Sequence, residues 1–263
     1  MRRQVSSHLQ LDVTEPALLA LQITAATRAE PEQLTVERDG EPVPFREVAT
    51  PHGGRLQIID APVGTVLVNY SATVDGEVPT PAGDELDRLT YLRPSRYCPS
   101  DRLLSTANAE FGHMSDTGEI VTAVARWVGL RLAYIVGSSG PTDDALDTLL
   151  LGEGVCRDYA HLVVGLLRAQ DIPARLAAVY APGLYPMDFH AVVEAWVDGE
   201  WRVVDATGLA PRQSLLRIAT GRDAADTAFL SVHHGTVNLV AVNVMAVVDT
   251  LPTDDPEKLV TLG

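Results

Sequence analysis

Residues 152–207 read GEGVCRDYAHLVVGLLRAQDIPARLAAVYAPGLYPMDFHAVVEAWVDGEWRVVDAT. The rest of the chain is interpreted from this stretch. It contains three residues with reactive side chains in a fixed order, Cys156, His190 and Asp205. Each of them lies at the edge of a different predicted element, where side chains from separate elements can converge. This arrangement indicates a candidate site with a thiol nucleophile.

The residues after Cys156 have the periodicity of a helix. Apolar side chains recur at helical spacing over residues 160–167, which places Cys156 at the start of the helix. We expect the helix to end near Asp171, because Pro173 cannot continue it. A helix start offers unpaired N–H groups and the positive end of the helix dipole. Both favour the thiolate, which is the nucleophilic form of cysteine.

Strands are predicted after this helix, at 175–180, 189–197 and 201–205. Asp198-Gly199 is a strong two-residue hairpin signal between the second and the third strand. Antiparallel pairing through this turn places residues near 190 beside residues near 207. His190 and Asp205 are therefore expected to be neighbours, and an imidazole held by a carboxylate can take a proton from a thiol.

Several motifs in this stretch, and one just after it, resemble those of the transglutaminase-like superfamily of papain-type thiol enzymes. They are G-x-G-x-C-x-D-Y-A-H-L (152–162), I-P-A-R (172–175), F-H-A-V-V-E-A-W (189–196), V-V-D-A-T (203–207) and I-A-T-G-R-D-A-A-D (218–226). The resemblance covers residues 142–225 and implies that Cys156 is the nucleophile, His190 the base and Asp205 the orienting carboxylate. The chain has Ala206 where many members have proline, and Asp171 where many have glycine. Neither departure affects the chemistry.

Composition excludes several classes of protein. The chain has 20 lysine and arginine residues against 35 aspartate and glutamate residues, a net charge of −15, which argues against nucleic acid and anionic lipid as partners. Two cysteines without a C-x-x-C motif make neither a disulfide framework nor a thiolate zinc site. No secretory signal and no stretch of membrane-spanning length is recognised, so a cytoplasmic protein is expected.

No metal ion or organic cofactor is expected either. His233-His234 could be combined with His161, His190 or Asp226, but the spacing fits no common set of metal ligands. Paired histidines in a predicted loop are usually solvated.

Residues 1–80 have the pattern of an all-β domain. Turn signals, notably Asp39-Gly40, separate short strand-like runs, and residues 66–74 alternate between apolar and polar side chains. The predicted strands are His8–Val13, Leu18–Ile23, Gln33–Glu37, Val43–Val48, Arg55–Ile59 and Thr65–Val74. A small β-sandwich or barrel follows from this spacing. Bacterial members of the resembled family carry such a domain before the catalytic one.

Residues 81–105 are predicted to be a linker and interface segment, and residues 106–263 the transglutaminase-like catalytic domain. The predicted fold class is α+β, with an N-terminal all-β domain (sandwich or barrel) followed by a papain-like core. Tyr91, Arg93 and Tyr97 could line the cleft, but packing at the domain interface is favoured. Cys98 lies between prolines without a helix start, so we expect no catalytic role for it.

Residues 106–150 are predicted to be helical. One helix is expected to start at Asp116 and Glu119, and a second after Pro141 with Asp143 and Asp144 in its first turn. A further strand is predicted at Val237–Val248.

The function that these expectations favour is a thiol hydrolase, a protease, peptidase or amidase that acts through an acyl-enzyme. The backbone N–H of Cys156 would supply one oxyanion donor, and Tyr97 and Glu153 are candidate neighbours in the cleft. Few aromatic residues are available to enclose the site, with Tyr159 the aromatic close to Cys156 in sequence, so hydrolysis of a peptide or amide is favoured over transfer. An acyltransferase with the same triad and a non-catalytic binding module remain alternatives.

Overall fold

The structure is a computed structural model that describes residues 1–76, 78 and 82–262. Residues 77, 79 and 80 of the predicted β domain, residue 81 of the predicted linker and residue 263 lie outside the described residues. The strands are β1 (Arg2–Glu15), β2 (Ala17–Leu21), β3 (Glu32–Arg38), β4 (Glu41–Pro42), β5 (Phe45–Ala49), β6 (Arg55–Ala61), β7 (Gly64–Asp75), β8 (Ala133–Tyr134), β9 (Glu153–Gly154), β10 (Ala174–Tyr180), β11 (Phe189–Val197), β12 (Glu200–Val204), β13 (Leu216–Gly221), β14 (Leu230–His233) and β15 (Thr236–Val248). The helices are α1 (Glu85–Thr90), α2 (Ser100–Phe111), α3 (Thr117–Arg131), α4 (Ala145–Leu151), α5 (Cys156–Ala169) and α6 (Ala224–Thr227).

The N-terminal strands form two sheets that pack against each other. One has the order β15-β1-β7-β3-β4 and the other β14-β2-β6-β5. Side chains from both sheets, among them Leu9 of β1, Val68 of β7, Leu19 of β2 and Ile59 of β6, share one buried apolar cluster. The alternation of apolar and polar residues therefore predicted a two-layer β arrangement correctly, because one face of each sheet is buried.

The last strands of the chain return to these N-terminal sheets. β15 pairs antiparallel with β1, from Thr236↔Glu15 to Val248↔Arg3, and β14 pairs with β2. The alternation of side chains predicts the strand at 237–248. The alternation does not indicate which other strand this one pairs with. The division of the chain at residues 80 and 105 remains a prediction, although residues 236–248 share a sheet with the first strand.

The second part of the molecule packs helices on a separate antiparallel sheet, in the order β12-β11-β10-β13. Helix α5 lies on β10 and β11 and is surrounded by α2, α3 and α4. Its apolar face, including Leu162, Val163 and Leu166, is buried. The fold class is α+β, as predicted.

Helix α5 begins at Cys156 and ends at Ala169, close to the predicted bounds. Asp171, just beyond its end, has a φ of 57°, in the left-handed region that glycine adopts most readily. Aspartate is among the residues that tolerate it best.

Two helices lie in the segment that was predicted to be linker and interface. The carboxylate of Asp84 caps α1 by accepting a hydrogen bond from the N–H of Asp87, and the carboxylate of Asp87 accepts one from the N–H of Asp84, which completes a capping box. Helix α2 begins at Ser100, so the prediction that no helix starts near Cys98 is wrong. Acidic and turn-forming residues favour helix starts as well as loops, so local composition did not separate the two.

The helical region predicted at 106–150 is interrupted between α3 and α4. Asp116 caps α3 and accepts a hydrogen bond from the N–H of Glu119, as predicted. Asp144 is the N-cap of α4 rather than part of its first turn. Among the described residues, none of the helices combines the length and the hydropathy needed to cross a bilayer.

An aromatic and charged cluster joins the N-terminal sheets to the second part. The hydroxyl of Tyr91 lies 2.7 Å from Nε2 of His52. Arg175 lies over the ring of Trp201, 3.9 Å from its centroid, and forms a buried ion pair with Glu194 at 2.8 Å. Tyr91 therefore packs at the interface, as the sequence analysis favoured.

Candidate active site

Cys156 is the first residue of α5, and the residues around it hold the start of this helix in place. The carboxylate of Asp158 accepts a hydrogen bond from the N–H of Val155 at 2.8 Å. Gly154 permits this close approach, because a Cβ atom there would lie 2.6 Å from the Cβ of Asp158. Cys156 is half-buried. The thiol thus lies at a helix N-terminus, where free N–H groups stabilise negative charge.

The buried Asp158 also fixes a neighbouring loop. Arg157 donates hydrogen bonds to its Oδ1 at 2.9 and 3.1 Å, and Ser139 donates one to its Oδ2 at 2.6 Å. Arg157 also donates to the carbonyl of Gly140 at 2.8 Å. These bonds join the 139–140 loop to the first turn of α5.

The structure brings His190 and Asp205 together, as the predicted hairpin requires. Asp198 and Gly199 form the turn with φ values of 51° and 86°, and the pairing of β11 with β12 reaches Val193↔Val204. Nε2 of His190 lies 2.8 Å from Oδ2 of Asp205, and both side chains are buried. The other oxygen of Asp205 accepts hydrogen bonds from the N–H and the hydroxyl of Thr207, at 2.9 and 2.7 Å.

This pairing favours the charged forms of both groups. Burial by itself lowers the pKa of His190, but the charge and hydrogen bond of Asp205, together with the Cys156 thiol, raise the pKa of His190 to about 10. Burial opposes ionisation of Asp205, and the interactions with His190 and Thr207 outweigh it and lower the pKa of that carboxyl. An imidazolium ion can therefore persist here at neutral pH.

The second nitrogen of the His190 ring faces a different neighbour. Nδ1 is buried and, within the described part of the chain, has no hydrogen-bond partner. The thiol of Cys156 is close enough to contribute to the raised pKa of His190. Two groups therefore adjoin the imidazole of His190. The carboxylate of Asp205 is bonded to Nε2, and the thiol of Cys156 lies nearby.

Two further residues adjoin this group, and the sequence analysis missed both. Burial, the thiol of Cys156 and the charge of Asp188 raise the pKa of Tyr134 to about 12, while hydrogen bonding by the backbone N–H of Cys156 opposes this. Burial raises the pKa of Asp188, which His190 lowers in part. Tyr134 lies in β8, a strand of two residues, which is too short for an alternation signal.

Tyr97, Glu153 and Cys98 were also considered from the sequence. The ring of Tyr97 stacks on His161, with centroids 5.2 Å apart, and Glu153 lies in β9 opposite Ala133. Cys98 is fully buried, and burial raises the pKa of its thiol to about 12.

His233 is the last residue of β14, so it lies in a strand and not in the predicted loop. The rings of His233 and His234 are 6.4 Å apart and exposed. No group of three or more histidine, cysteine, aspartate or glutamate side chains suited to a metal ion occurs among residues 1–76, 78 and 82–262.

A thiol at a helix start beside a histidine–aspartate pair, on an α+β core, defines the class of papain-like thiol proteins. A sequence model of the transglutaminase-like superfamily matches residues 87–206. The chain belongs to this superfamily, which confirms the resemblance seen in the sequence.

Two relatives extend the match. A crystal structure from Cytophaga hutchinsonii, named "Putative Cysteine Protease", is 35% identical, with a TM-score of 0.89 over 98% of this chain and 96% of that one. ML0607 of Mycobacterium leprae, an uncharacterized protein, is 29% identical over 148 residues, and the match spans 52% of each chain. The periplasmic domain of TgpA from Pseudomonas aeruginosa is more distant, with 17% identity and a TM-score of 0.43 over 78% of this chain and 90% of that one.

Proposed function

We propose that this protein is a thiol hydrolase that cleaves a peptide or amide bond through an acyl-enzyme on Cys156. His190 is the base and Asp205 orients it. The observation that carries the proposal is the buried imidazole of His190, held at 2.8 Å by Asp205 with Cys156 as its other neighbour. Membership of the superfamily, and 35% identity to a protein described as a cysteine protease, support the class of reaction.

The first half of the reaction forms a thioester. His190 takes the proton of the Cys156 thiol at Nδ1, and the sulfur attacks the carbonyl carbon of the substrate. The C–S bond forms as the carbonyl oxygen takes up the negative charge. When the C–N bond breaks, the imidazolium of His190 gives its proton to the leaving amine. Asp205 stabilises the imidazolium throughout and keeps Nε2 engaged.

The second half consumes one water molecule. His190 takes a proton from the water, whose oxygen attacks the thioester carbon. The C–S bond then breaks, the acid product leaves, and Cys156 regains its proton from the imidazolium.

Two donors are available for the oxyanion. The backbone N–H of Cys156 is one, because it belongs to the first turn of α5 and has no partner within the helix. The hydroxyl of Tyr134 is the other, because it lies near both the N–H and the thiol of Cys156. An oxygen atom bound between them would receive two hydrogen bonds while the sulfur attacks its carbon.

Hydrolysis is favoured over acyl transfer because the site is open to water. Tyr134, the aromatic residue beside the thiol, is 41% exposed, and Tyr185 on the 181–188 loop is 90% exposed. Neither encloses the thiol in a channel that would exclude water from the thioester.

The test combines labelling with partitioning. Iodoacetamide at mildly acidic pH should modify Cys156 far faster than Cys98, which serves as the internal control in the same folded chain. An N-acetyl peptide thioester is then supplied with increasing amine, and acid and amide products are quantified. Acid should dominate at millimolar amine.

The opposite results separate the alternatives. Amide as the main product would identify an acyltransferase with the same residues in the same roles. Equal labelling of the two cysteines, with no turnover of any thioester, would identify a non-catalytic protein that keeps the fold.

A further inference from the structure

Two short strands beside the thiol form a parallel pair of their own. β8 and β9 are joined in the register Ala133↔Glu153 and Tyr134↔Gly154. The N–H of Ile135 extends the pairing with a hydrogen bond of 3.1 Å to the carbonyl of Gly154. Because β9 ends two residues before Cys156, this pairing holds residues 133–135 beside the start of α5.

The outer edge of β8 carries a backbone N–H and a backbone C=O that can form hydrogen bonds. Successive residues of a strand direct their N–H and C=O groups to opposite sides, and Ala133 and Ile135 direct theirs towards β9. Tyr134 therefore presents its N–H and C=O on the other side. Among the described strands none pairs with that edge. An extended peptide placed there would gain two main-chain hydrogen bonds next to the thiol.

Apolar side chains continue from this edge into solvent. Ile135 is 44% exposed and Val136 is 83% exposed, directly after Tyr134. Adjacent exposed aliphatic side chains beside a reactive group are typical of a surface that contacts a ligand. They would bury apolar area only when a substrate covers them.

The 181–188 loop carries a second apolar pair. Tyr185 and Met187 are exposed, and Met187 immediately precedes Asp188. Asp188 interacts electrostatically with both His190 and Tyr134, which places the end of this loop near β8 and the histidine. The site thus has apolar side chains on both of the segments that adjoin it.

We propose, on the basis of the function argued above, that the acyl donor is an extended peptide segment that pairs with the outer edge of β8. It places a bulky apolar side chain against Ile135 and Val136 on one side and the 181–188 loop on the other. The substrate class is then a peptide with an aliphatic or aromatic residue at the acyl side, rather than a small isolated amide.

Binding is measured separately from turnover. NMR titrations of Cys156→Ala protein use the peptides acetyl-Gly-X-Gly-amide, with X as leucine, serine or N-methyl-leucine. Leucine should bind about 10-fold more tightly than serine, because its side chain is removed from water. N-methylation should weaken binding about 5-fold, because it removes the N–H that the carbonyl of Tyr134 would accept.

A matched pair of double variants locates the surface. Ile135→Ser with Val136→Ser should remove most of the preference for leucine. Leu239→Ser with Val240→Ser should leave it unchanged, because these two adjacent apolar residues have comparable exposure, 43% and 56%, but lie on β15.

Turnover of an acetyl thioester by the wild-type protein distinguishes the two proposals. One outcome is that the thioester is hydrolysed but the leucine, serine and N-methyl-leucine peptides bind with equal affinity. This result would contradict the proposed peptide site and leave the proposed hydrolase activity supported. The reverse outcome is that no thioester is hydrolysed but the preference for leucine depends on Ile135 and Val136. This result would support the proposed peptide site and contradict the proposed hydrolase activity. Equal loss of preference in both double variants would also overturn the proposed site.

Discussion

The second part of the molecule, in which helices pack on the sheet β12-β11-β10-β13, contains two groups of side chains. Each group consists of one cysteine, one histidine, one aspartate and one tyrosine. The open group, named for its half-buried cysteine, consists of Cys156, His190, Asp205 and Tyr134. The buried group, named for its fully buried cysteine, consists of Cys98, His161, Asp223 and the half-buried Tyr97. In the buried group, Tyr97 stacks on His161, and Oδ2 of Asp223 accepts a hydrogen bond from the N–H of Tyr97 at 2.9 Å. Residue types alone therefore do not separate a candidate site from a structural cluster.

The two histidines differ in what their Nε2 atoms contact. In the open group Nε2 of His190 meets the carboxylate of Asp205, which raises the pKa of His190 to about 10 despite its burial. In the buried group Nε2 of His161 accepts a hydrogen bond from the N–H of Ala224 at 3.1 Å. Burial lowers the pKa of His161 to about 4. A backbone donor favours neutral imidazole, whereas a carboxylate favours imidazolium.

The two thiols differ in access to solvent. Cys156 is half-buried at the first position of a helix, whereas Cys98 is fully buried. Burial raises the pKa of Cys98 to about 12, so it stays a thiol at neutral pH. Asp223 does not hold His161, because its oxygens bind the N–H groups of Tyr97 and Ala225. A carboxylate on the imidazole and a thiol that is only half-buried are therefore the features that distinguish the candidate site from the buried group.

The largest expected effect separates the two cysteines. Cys156→Ala should lower kcat/KM for a peptide thioester by at least about 10⁴-fold, because no nucleophile remains. Cys98→Ala should leave kcat/KM within about 2-fold and reduce the free energy of unfolding by about 1–2 kcal/mol through a small cavity. Kinetics and urea unfolding of both variants measure this. Loss of activity in correctly folded Cys98→Ala protein would contradict the assignment.

The second prediction separates the two aspartates. Asp205→Asn should lower kcat by about 10²- to 10⁴-fold, because the imidazolium of His190 loses its counter-charge. Asp223→Asn should keep its activity, because asparagine also caps the short helix α6 that Asp223 precedes. Circular dichroism confirms folding of both. If Asp223→Asn proved as inactive as Asp205→Asn, the buried group would have an unrecognised functional role.

The third prediction separates the two tyrosines. Tyr134→Phe should lower kcat by about 10²-fold with little change in KM, because the lost hydroxyl would act on the oxyanion and not on bound substrate. Iodoacetamide labelling of Cys156 should be retained. Tyr97→Phe keeps the stacking on His161 and loses a hydrogen bond to the carbonyl of Pro141, so kcat should not change. A rise in KM with constant kcat in Tyr134→Phe would instead indicate substrate binding.

The smallest effect concerns stability in acid. The pKa of His161 is lowered to about 4 by burial, so its contribution to stability is present above about pH 6.5 and is lost as pH falls towards 4. His190 has a raised pKa, so its contribution is present in acid and is lost as pH rises through about 10. Between pH 7 and 5, the free energy of unfolding should fall by up to about 1.4 kcal/mol per pH unit through His161.

The variant His161→Gln tests this linkage, because glutamine keeps an acceptor for the N–H of Ala224 but does not titrate. Its free energy of unfolding, from urea titrations at several pH values, should fall less steeply in this window than that of the wild type. His190→Gln is the control and should not reduce the slope. An unchanged slope in His161→Gln would place the acid sensitivity in other groups.

Local signals were sufficient for part of the fold and of the site. Alternating side chains predicted the N-terminal strands, and Asp198-Gly199 predicted the hairpin that brings His190 beside Asp205. Helical spacing after residue 156 predicted α5 and its first residue. These features depend on residues close together in the chain, which is why sequence alone reveals them.

Helix α1 and the start of α2 at Ser100 were not predicted, because acidic and turn-forming residues occur at both helix starts and loops. The partner of β15 could not be deduced either, since alternation specifies a face and not a neighbouring strand.

By itself, then, the sequence determined the order of Cys156, His190 and Asp205 and the elements that carry them. Only the tertiary structure decided that His161 is buried with the N–H of Ala224, and not a carboxylate, at its Nε2. It also decided that Tyr134 lies beside the thiol of Cys156. Burial and charge at a residue depend on side chains that are distant in sequence. Such contacts leave no local pattern, and they set the protonation state on which the chemistry depends.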